Sequence, residues 1–113
     1  AATAAQKFAQ DDGALAIIGP FSSGEAAVAF PAGERLGIVQ LPNAASQPGL
    51  TGNFSYAWRL TEDEGKQFGR LIQTLRRKAI KVEKAEILFI SDERISNVTG
   101  TTLYPALLKR ENI

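Results

Sequence analysis

The sequence contains no cysteine, no histidine and no methionine. Without cysteine the chain can form neither a disulfide nor a thiolate metal site. The absence of histidine disfavours the usual zinc and iron sites and histidine-based acid–base catalysis. No apolar run approaches the roughly 20 residues of a membrane span. Because a primary translation product begins with methionine, we expect the chain to be a piece of a longer protein.

The chain also carries almost no net charge. Its 113 residues give a formal charge of +1, so there is no electrostatic case for binding nucleic acid or an anionic membrane. A hydrophobic content of 44% and a charged content of 22% are ordinary for a globular protein. We expect one small domain, no metal and no cofactor.

Helical and strand patterns alternate along the chain. This alternation predicts an α/β fold, an open parallel sheet with flanking helices and right-handed crossovers. The first half of the chain predicts a helix over residues 1–12, a buried strand over 14–18, a helix over 24–36 and a strand over 38–41. A short extended segment over 56–60 follows, and then a helix that starts at a capping box of Thr61 and Glu64 and carries Phe68, Leu71, Ile72 and Leu75 on one face. The last predicted elements are a buried strand over 85–90 and a final helix that contains Leu103, Leu107 and Leu108.

Some finer predictions follow from side-chain chemistry. Pro31 should bend or shorten the second helix, because proline lacks the N–H that the helix interior uses. Trp58 should be packed rather than functional. The predicted buried face of the second helix comprises Ala27, Val28, Phe30 and Ala32.

The turn after the first predicted strand carries the clearest chemistry. Gly19-Pro20 breaks the strand, and Ser22 followed by Glu25 is a capping box that starts a helix. The first N–H groups of that helix have no helical partners, and the helix dipole adds partial positive charge. Such a helix start after a parallel strand can bind a small anion. Alternatively, these residues only cap the helix and bind no ligand.

One departure narrows the choice of anion. Gly19 and Gly24 have the glycine spacing of a phosphate-binding P-loop, but Glu25 stands where that loop has lysine. A carboxylate there repels a polyphosphate. Nucleotide binding is therefore disfavoured, whereas a single carboxylate held by serine hydroxyls and N–H groups remains open.

A second loop is expected at the same edge. Residues 42–49 follow the second predicted strand at its carboxyl end. In a parallel sheet this loop and the turn at 21–24 emerge together, so both can face one site. We predict that Ser23 and Ser46 lie at this common edge with exposed hydroxyls.

The order of these motifs resembles a known family. The motifs are Asp-Asp-Gly, then Ala-Ile-Ile-Gly-Pro and Ser-Ser, then Gly-Ile-Val, then the run from Asn43 to Thr51, then Trp-Arg-Leu-Thr and Ile-Leu-Phe-Ile-Ser-Asp. The chain resembles the type I periplasmic solute-binding proteins of the Leu/Ile/Val-binding kind, the substrate receptors of ABC importers. The likeness covers nearly the whole chain.

The resemblance implies the following architecture and setting. The family has two α/β lobes joined by hinge strands, and residues 1–113 would form a single partial domain within the first lobe, without the first strand, the hinge or the second lobe. The full-length parent would be periplasmic, or extracellular and lipid-anchored. It would bind an amino acid or another small carboxylate and deliver it to a membrane permease. It would not be an enzyme.

The resemblance also implies roles for individual residues. Ser23 matches a serine whose hydroxyl binds the ligand carboxylate, and the Ala44 carbonyl matches an acceptor for the ligand ammonium. Ser46 stands where the family often has a threonine that binds either group. The neighbouring candidates are Ser22 and Ala45, which flank these residues, and Phe21, which would wall the pocket.

The chain departs from the family after Ser91-Asp92. Many members have a Tyr-Gly pair there, whereas this chain has the run from Glu93 to Val98, which lacks tyrosine and is one residue longer. Two alternative functions therefore remain. One is a flavodoxin-like or small hydrolase domain that uses Asp92 or Glu93 as its acid–base residue. The other is a structural fragment with no ligand of its own.

The edge of the first predicted strand suggests a further partner. In the complete lobe this strand would pair with one that precedes residue 1. Its open edge lies beside Ile17 and Ile18, and such an edge is a template for another chain. We therefore expect either a homodimer across residues 14–18 or a longer parent chain.

Overall fold

The computed structural model describes residues 1–11 and 13–113, and the chain divides into two compact units, Ala1–Asp63 and Glu64–Ile113. The first unit contains α1 (Ala2–Gln10), β1 (Ala16–Ile18), α2 (Ser23–Leu36) and β2 (Val39–Leu41). The second contains α3 (Glu64–Arg77), α4 (Arg94–Val98), a π-helical segment (Thr99–Leu103) and α5 (Tyr104–Arg110). None of the described helices is long and apolar enough to cross a bilayer.

The sheet of the first unit is parallel, and α2 is its crossover. β1 pairs with β2 in a register that places Ala16 beside Val39 and Ile18 beside Leu41. A single bridge extends the sheet beyond β2, where Gln40 donates its N–H to the Tyr56 carbonyl at 2.8 Å and accepts from the Trp58 N–H at 3.0 Å. The predicted α/β fold with a parallel sheet and flanking helices is confirmed.

Helix α2 has the ends that its sequence predicts. The Ser22 hydroxyl accepts from the Glu25 N–H while the Glu25 carboxylate accepts from the Ser22 N–H, so the capping box is confirmed. Gly37 ends the helix at φ 65°, a conformation that glycine adopts without a side-chain penalty. Pro31 lies inside the helix and does not shorten it.

The buried face of α2 packs against the sheet and the loops. Ala26, Phe30, Ala45, Leu50 and Ala57 form the core cluster. The Phe30 ring meets that of Phe54 edge-on, with ring centroids 5.8 Å apart. Apolar burial of this kind is the main favourable term in folding.

Two predictions about that helix face are wrong. Ala27 and Val28 are exposed, whereas Ala26 and Ala29 are buried. The buried positions recur every three to four residues, and Ala27 and Val28 lie between two of them. The predictions for Phe30 and Ala32 are confirmed.

The first strand is shorter and more exposed than predicted. It spans three residues, Ala16–Ile18, and Leu15 and Ile18 are 90% and 81% exposed. Ile17 is half-buried, and both Ile17 and Ile18 line a shallow cavity with α1 residues. The prediction that both faces are covered is therefore wrong.

Three other local predictions have mixed outcomes. Helix α1 ends at Gln10, and Asp12, the predicted last helical residue, lies outside the described residues. Gly13 has φ 63°, which fits the predicted stop. Trp58 is 63% exposed, and its indole N–H donates to the Ser55 carbonyl at 3.2 Å, so the prediction that it is packed is wrong.

In the second unit, α3 carries the predicted apolar stripe. Ile72 is buried, and the Phe68 ring lies 5.9 Å from that of Tyr104. The predicted capping box is wrong, because the helix begins at Glu64 itself. Thr61 instead donates its hydroxyl hydrogen to the Asn43 carbonyl at 3.3 Å.

The predicted strand over residues 85–90 is not formed. Among the described residues this stretch belongs to no strand, and Leu88 is 98% exposed. A strand needs a ladder of hydrogen bonds to a neighbour, and strand propensity alone does not supply one. The segment makes local contacts instead, since the Ile90 N–H donates to the Ser96 hydroxyl at 2.8 Å.

The final helical stretch is interrupted by a π-helical segment. Glu93 caps α4 by accepting from the Ile95 and Ser96 N–H groups, and the π turn follows directly. Pro105 stands in the first turn of α5, as predicted. The π turn, Thr99–Leu103, thus joins α4 to α5.

Candidate functional site

Two loops of the first unit meet at the carboxyl edge of the sheet. The register places Ile18 beside Leu41, so the chain leaves both strands at the same edge. Backbone bonds then join the loops: the Gly19 N–H donates to the Leu41 carbonyl at 2.8 Å, and the Asn43 N–H donates to the Pro20 carbonyl at 3.1 Å. The sheet thus brings residues 19–23 and 42–47 together.

Ser22 is engaged in capping α2. Its hydroxyl lies 3.1 Å from a Glu25 carboxylate oxygen and accepts from the Glu25 N–H at 3.2 Å. The Ser22 N–H is also bonded to this carboxylate, and these bonds lower the pKa of Glu25. The N–H groups of Ser23 and Gly24 are then the next ones of the first turn without an intrahelical acceptor.

Ser23 is buried rather than exposed. The residue is 9% exposed, and its Oγ accepts from the Gln47 N–H at 3.1 Å. The prediction of an open hydroxyl is therefore wrong, because the second loop covers it. A hydroxyl has one donor hydrogen as well as its acceptor lone pairs, so the Ser23 O–H can still donate to an anion at the helix start.

The second loop is held from behind by two side chains. Arg59 Nη1 donates to the Ala45 carbonyl at 3.3 Å and to the Gln47 carbonyl at 2.7 Å. The Thr61 hydroxyl holds the Asn43 carbonyl. The carbonyl of Ala44 lies between these bonded groups.

The remaining candidates differ in exposure. Ala45 is 1% exposed and belongs to the core cluster, so its side chain supports the loop. Ala44 and Ser46 are half-buried in the same loop. Phe21 is 70% exposed beside the start of α2. The structure thus places all six candidates in two joined loops, with Ser22 and Ala45 engaged structurally.

Sequence reasoning missed Arg59 and Gln47. The signal for Arg59 was one cation within the otherwise uncharged stretch over residues 53–61. Its side chain is 13% exposed and lies 3.7 Å from the Asp63 carboxylate. A guanidinium so nearly buried needs acceptors, and the loop carbonyls provide them.

The described residues contain no group of three or more metal-ligating side chains. The Glu93 carboxylate, a candidate acid–base group, caps α4, and bonds from the Ser96 and Ile95 N–H groups lower its pKa. The observed role of this carboxylate is therefore that of a helix cap.

Comparison with solved structures gives the fold. No protein-family model matches the chain, and no curated protein matches it significantly. An ABC transporter substrate-binding protein from Desulfitobacterium hafniense in complex with Leu matches 99% of this chain at 22% identity, with a TM-score of 0.75. The chain has the fold of a type I periplasmic binding protein.

Two further structures share this periplasmic binding fold. Another structure of an ABC transporter substrate-binding protein from Desulfitobacterium hafniense matches 97% of the chain at 23% identity, with a TM-score of 0.72. The substrate-binding protein LivJ from Streptococcus pneumoniae, a branched-chain amino acid transporter component in complex with isoleucine, matches 57% at 25% identity, with a TM-score of 0.55. All are transport substrate-binding proteins, in accord with the family recognised from the sequence motifs.

The chain is much shorter than the structures it matches. It spans 32% of the length of each Desulfitobacterium hafniense protein chain and 18% of LivJ. The likeness therefore concerns one part of those proteins.

Proposed function

We propose that this chain is part of the first lobe of an ABC importer's substrate-binding protein and forms one wall of its ligand site. The ligand would be an amino acid or a related small carboxylate. Its carboxylate would bind at the start of α2, through the Ser23 hydroxyl and the N–H groups of Ser23 and Gly24. Its ammonium would bind the Ala44 carbonyl, with Ser46 and Phe21 beside it.

One observation carries this proposal. The hydrogen bond between Ser23 Oγ and the Gln47 N–H, at 3.1 Å, joins the helix start to the second loop. Donors at a helix N-terminus and loop carbonyls are thereby held at one edge of a parallel sheet. Donors suit a carboxylate and carbonyls suit an ammonium, so the edge offers both kinds of group that an amino acid needs.

The setting of the parent protein follows from this role. We propose that it is periplasmic, or extracellular with a lipid anchor, passes its ligand to a membrane permease, and is not an enzyme. The solved structures that share the fold, named as amino-acid transport proteins or complexes, support this role. A second copy of the chain, paired along the outer edge of β1, is a further proposed partner.

The Ser23→Ala variant tests the carboxylate site. In the longer protein that contains this chain, we expect leucine to bind more weakly by about 1.5–3 kcal/mol, the range for a hydrogen bond to a charged group. Titration calorimetry with leucine and with leucinamide measures the effect. The loss should be larger for leucine, because leucinamide has no carboxylate.

Ser22→Ala is the matched control. It removes the cap and should lower the free energy of unfolding by about 1 kcal/mol, while the preference for leucine over leucinamide stays unchanged. Equal losses for both ligands in Ser23→Ala would mean that Ser23 only supports the loop. In a broad ligand screen, no binding at all would favour the structural alternative. Turnover of a ligand would favour the enzymatic alternative.

A further inference from the structure

Gln47 is bonded on both sides to other parts of the first unit. Its N–H donates to Ser23 Oγ at 3.1 Å, and its carbonyl accepts from Arg59 Nη1 at 2.7 Å. Helix α2 and the segment that follows the Gln40 bridge are therefore joined through one loop residue. Because both the N–H and the carbonyl of Gln47 are hydrogen-bonded, the backbone of the loop has little conformational freedom at this residue.

Arg59 is itself fixed in direction. The preceding residue, Trp58, donates its N–H to the Gln40 carbonyl at 3.0 Å, which anchors the backbone to β2. The guanidinium reaches the Ala45 carbonyl at 3.3 Å and lies 3.7 Å from the Asp63 carboxylate. Its planar fork presents several donors in set directions.

These bonds determine which loop carbonyls remain available. The carbonyls of Ala45 and Gln47 accept from Arg59, and that of Asn43 accepts from Thr61. Within the described part of the chain the Ala44 carbonyl, which lies between them, accepts no hydrogen bond. Because the neighbouring carbonyls accept from Arg59 and Thr61, the Ala44 carbonyl is the one left to accept from a ligand.

We propose that Arg59 is a positioning residue for ligand binding. It fixes the loop over residues 43–47 so that the Ala44 carbonyl meets the ammonium of the ligand, and it does not contact the ligand itself. This inference rests on the proposed function and names the residue that sets the affinity for an ammonium group.

The Arg59→Lys variant tests the inference in the longer protein. Lysine keeps the charge but lacks the fork that spans both carbonyls and Asp63. The probes are L-leucine and 4-methylpentanoate, which has the same side chain and carboxylate but no ammonium. Losing one hydrogen bond to a charged group corresponds to about 10- to 150-fold in affinity, so we expect at least about a tenfold loss for leucine and little change for 4-methylpentanoate.

Two further variants complete the set. Arg35→Lys, on an exposed position of α2, is the control and should bind both probes as the unmodified protein does. Asp63→Asn leaves Arg59 in place but removes its ion pair, so it should lower leucine affinity in the same direction by a smaller factor. This milder variant keeps the test decisive if Arg59→Lys does not fold.

Amide hydrogen exchange over residues 43–49 provides a readout without ligand. Exchange should be faster in Arg59→Lys than in Arg35→Lys if Arg59 holds the loop. Unchanged exchange, or equal losses for the two probes, would overturn the inference. Binding of neither probe by the unmodified protein would overturn the proposed function for this ligand class, while the exchange rates would still decide whether Arg59 holds the loop.

Discussion

At the scale of single residues, Gly33 and Gln40 pack so closely that a side chain at position 33 would clash with the Gln40 amide. Gln40 is 1% exposed and donates from Nε2 to the Ala29 carbonyl at 3.0 Å. A Cβ added at Gly33 would lie 1.6 Å from that nitrogen. The glycine therefore makes room for a buried amide between α2 and β2.

Replacing this glycine should destabilise the chain. We expect Gly33→Ala to lower the free energy of unfolding by about 1–3 kcal/mol, the usual cost of overpacking. Gly69→Ala is the matched control, because the space around that α3 glycine is open, and it should be neutral or stabilising by about 0.5–1 kcal/mol. Chemical denaturation of both variants measures this, and an equal response would contradict the close fit.

At the scale of elements, Glu34 links α2 to the segment beyond β2. Its carboxylate accepts from the Tyr56 N–H at 3.0 Å and from the Ser55 N–H at 2.9 Å. Both bonds lower the pKa of Glu34, and the bond from Tyr56 has the larger effect. The carboxylate thus holds the segment that leads to Arg59.

This link should weaken in acid. A carboxyl whose pKa is lower in the folded state stabilises the fold fully above its unfolded pKa, and the contribution fades as the pH falls through the folded value. We expect the melting temperature to exceed that of Glu34→Gln above pH 4.5, the reference pKa, and the difference to shrink at lower pH. Glu83→Gln, which removes an exposed partner of Lys81, should show no such convergence.

The sequence predicted those elements whose signals are local. The cap at Ser22, the stop at Gly37 and the stripe on α3 all depend on residues within one or two helical turns. The position of Ala44 after β2 followed in the same way. These features needed no knowledge of distant contacts.

What could not be predicted depends on distant partners. Residues 85–90 have strand-forming side chains, but a strand exists only when a neighbour completes its ladder. The burial of Ser23 depends on Gln47, which is 24 positions away. The role of Arg59 depends on carbonyls whose direction no single-sequence pattern records.

At the scale of the whole molecule, the open side of β1 is the main consequence of the sheet topology. β2 is bonded on both sides, to β1 and to residues 56–58, whereas within the described residues β1 has β2 alone. Leu15, just before the strand, and Ile18, its last residue, are largely exposed, and residues 14–18 contain no charge or proline. Charged or proline residues are the usual protection of such an edge.

We therefore expect a chain of these 113 residues to self-associate through β1. Sedimentation velocity over a concentration series should show a species larger than the monomer, and Ile18→Lys should abolish it by placing a charge at the edge. Leu60→Lys, at an equally exposed apolar position, should leave the association intact. A well-folded monomer at high concentration would refute the proposal.

The confinement of the candidate site to Ala1–Asp63 has a consequence for biosynthesis. The bonds described above between Ser23, the loop over residues 43–47, Arg59 and Thr61 all close within this first stretch. At roughly 5–20 residues per second, the ribosome needs about 3–10 s to add the 50 residues of Glu64–Ile113. The capped start of α2 and the loop bonded to Arg59 can therefore form on a nascent chain, before residues 64–113 have left the exit tunnel.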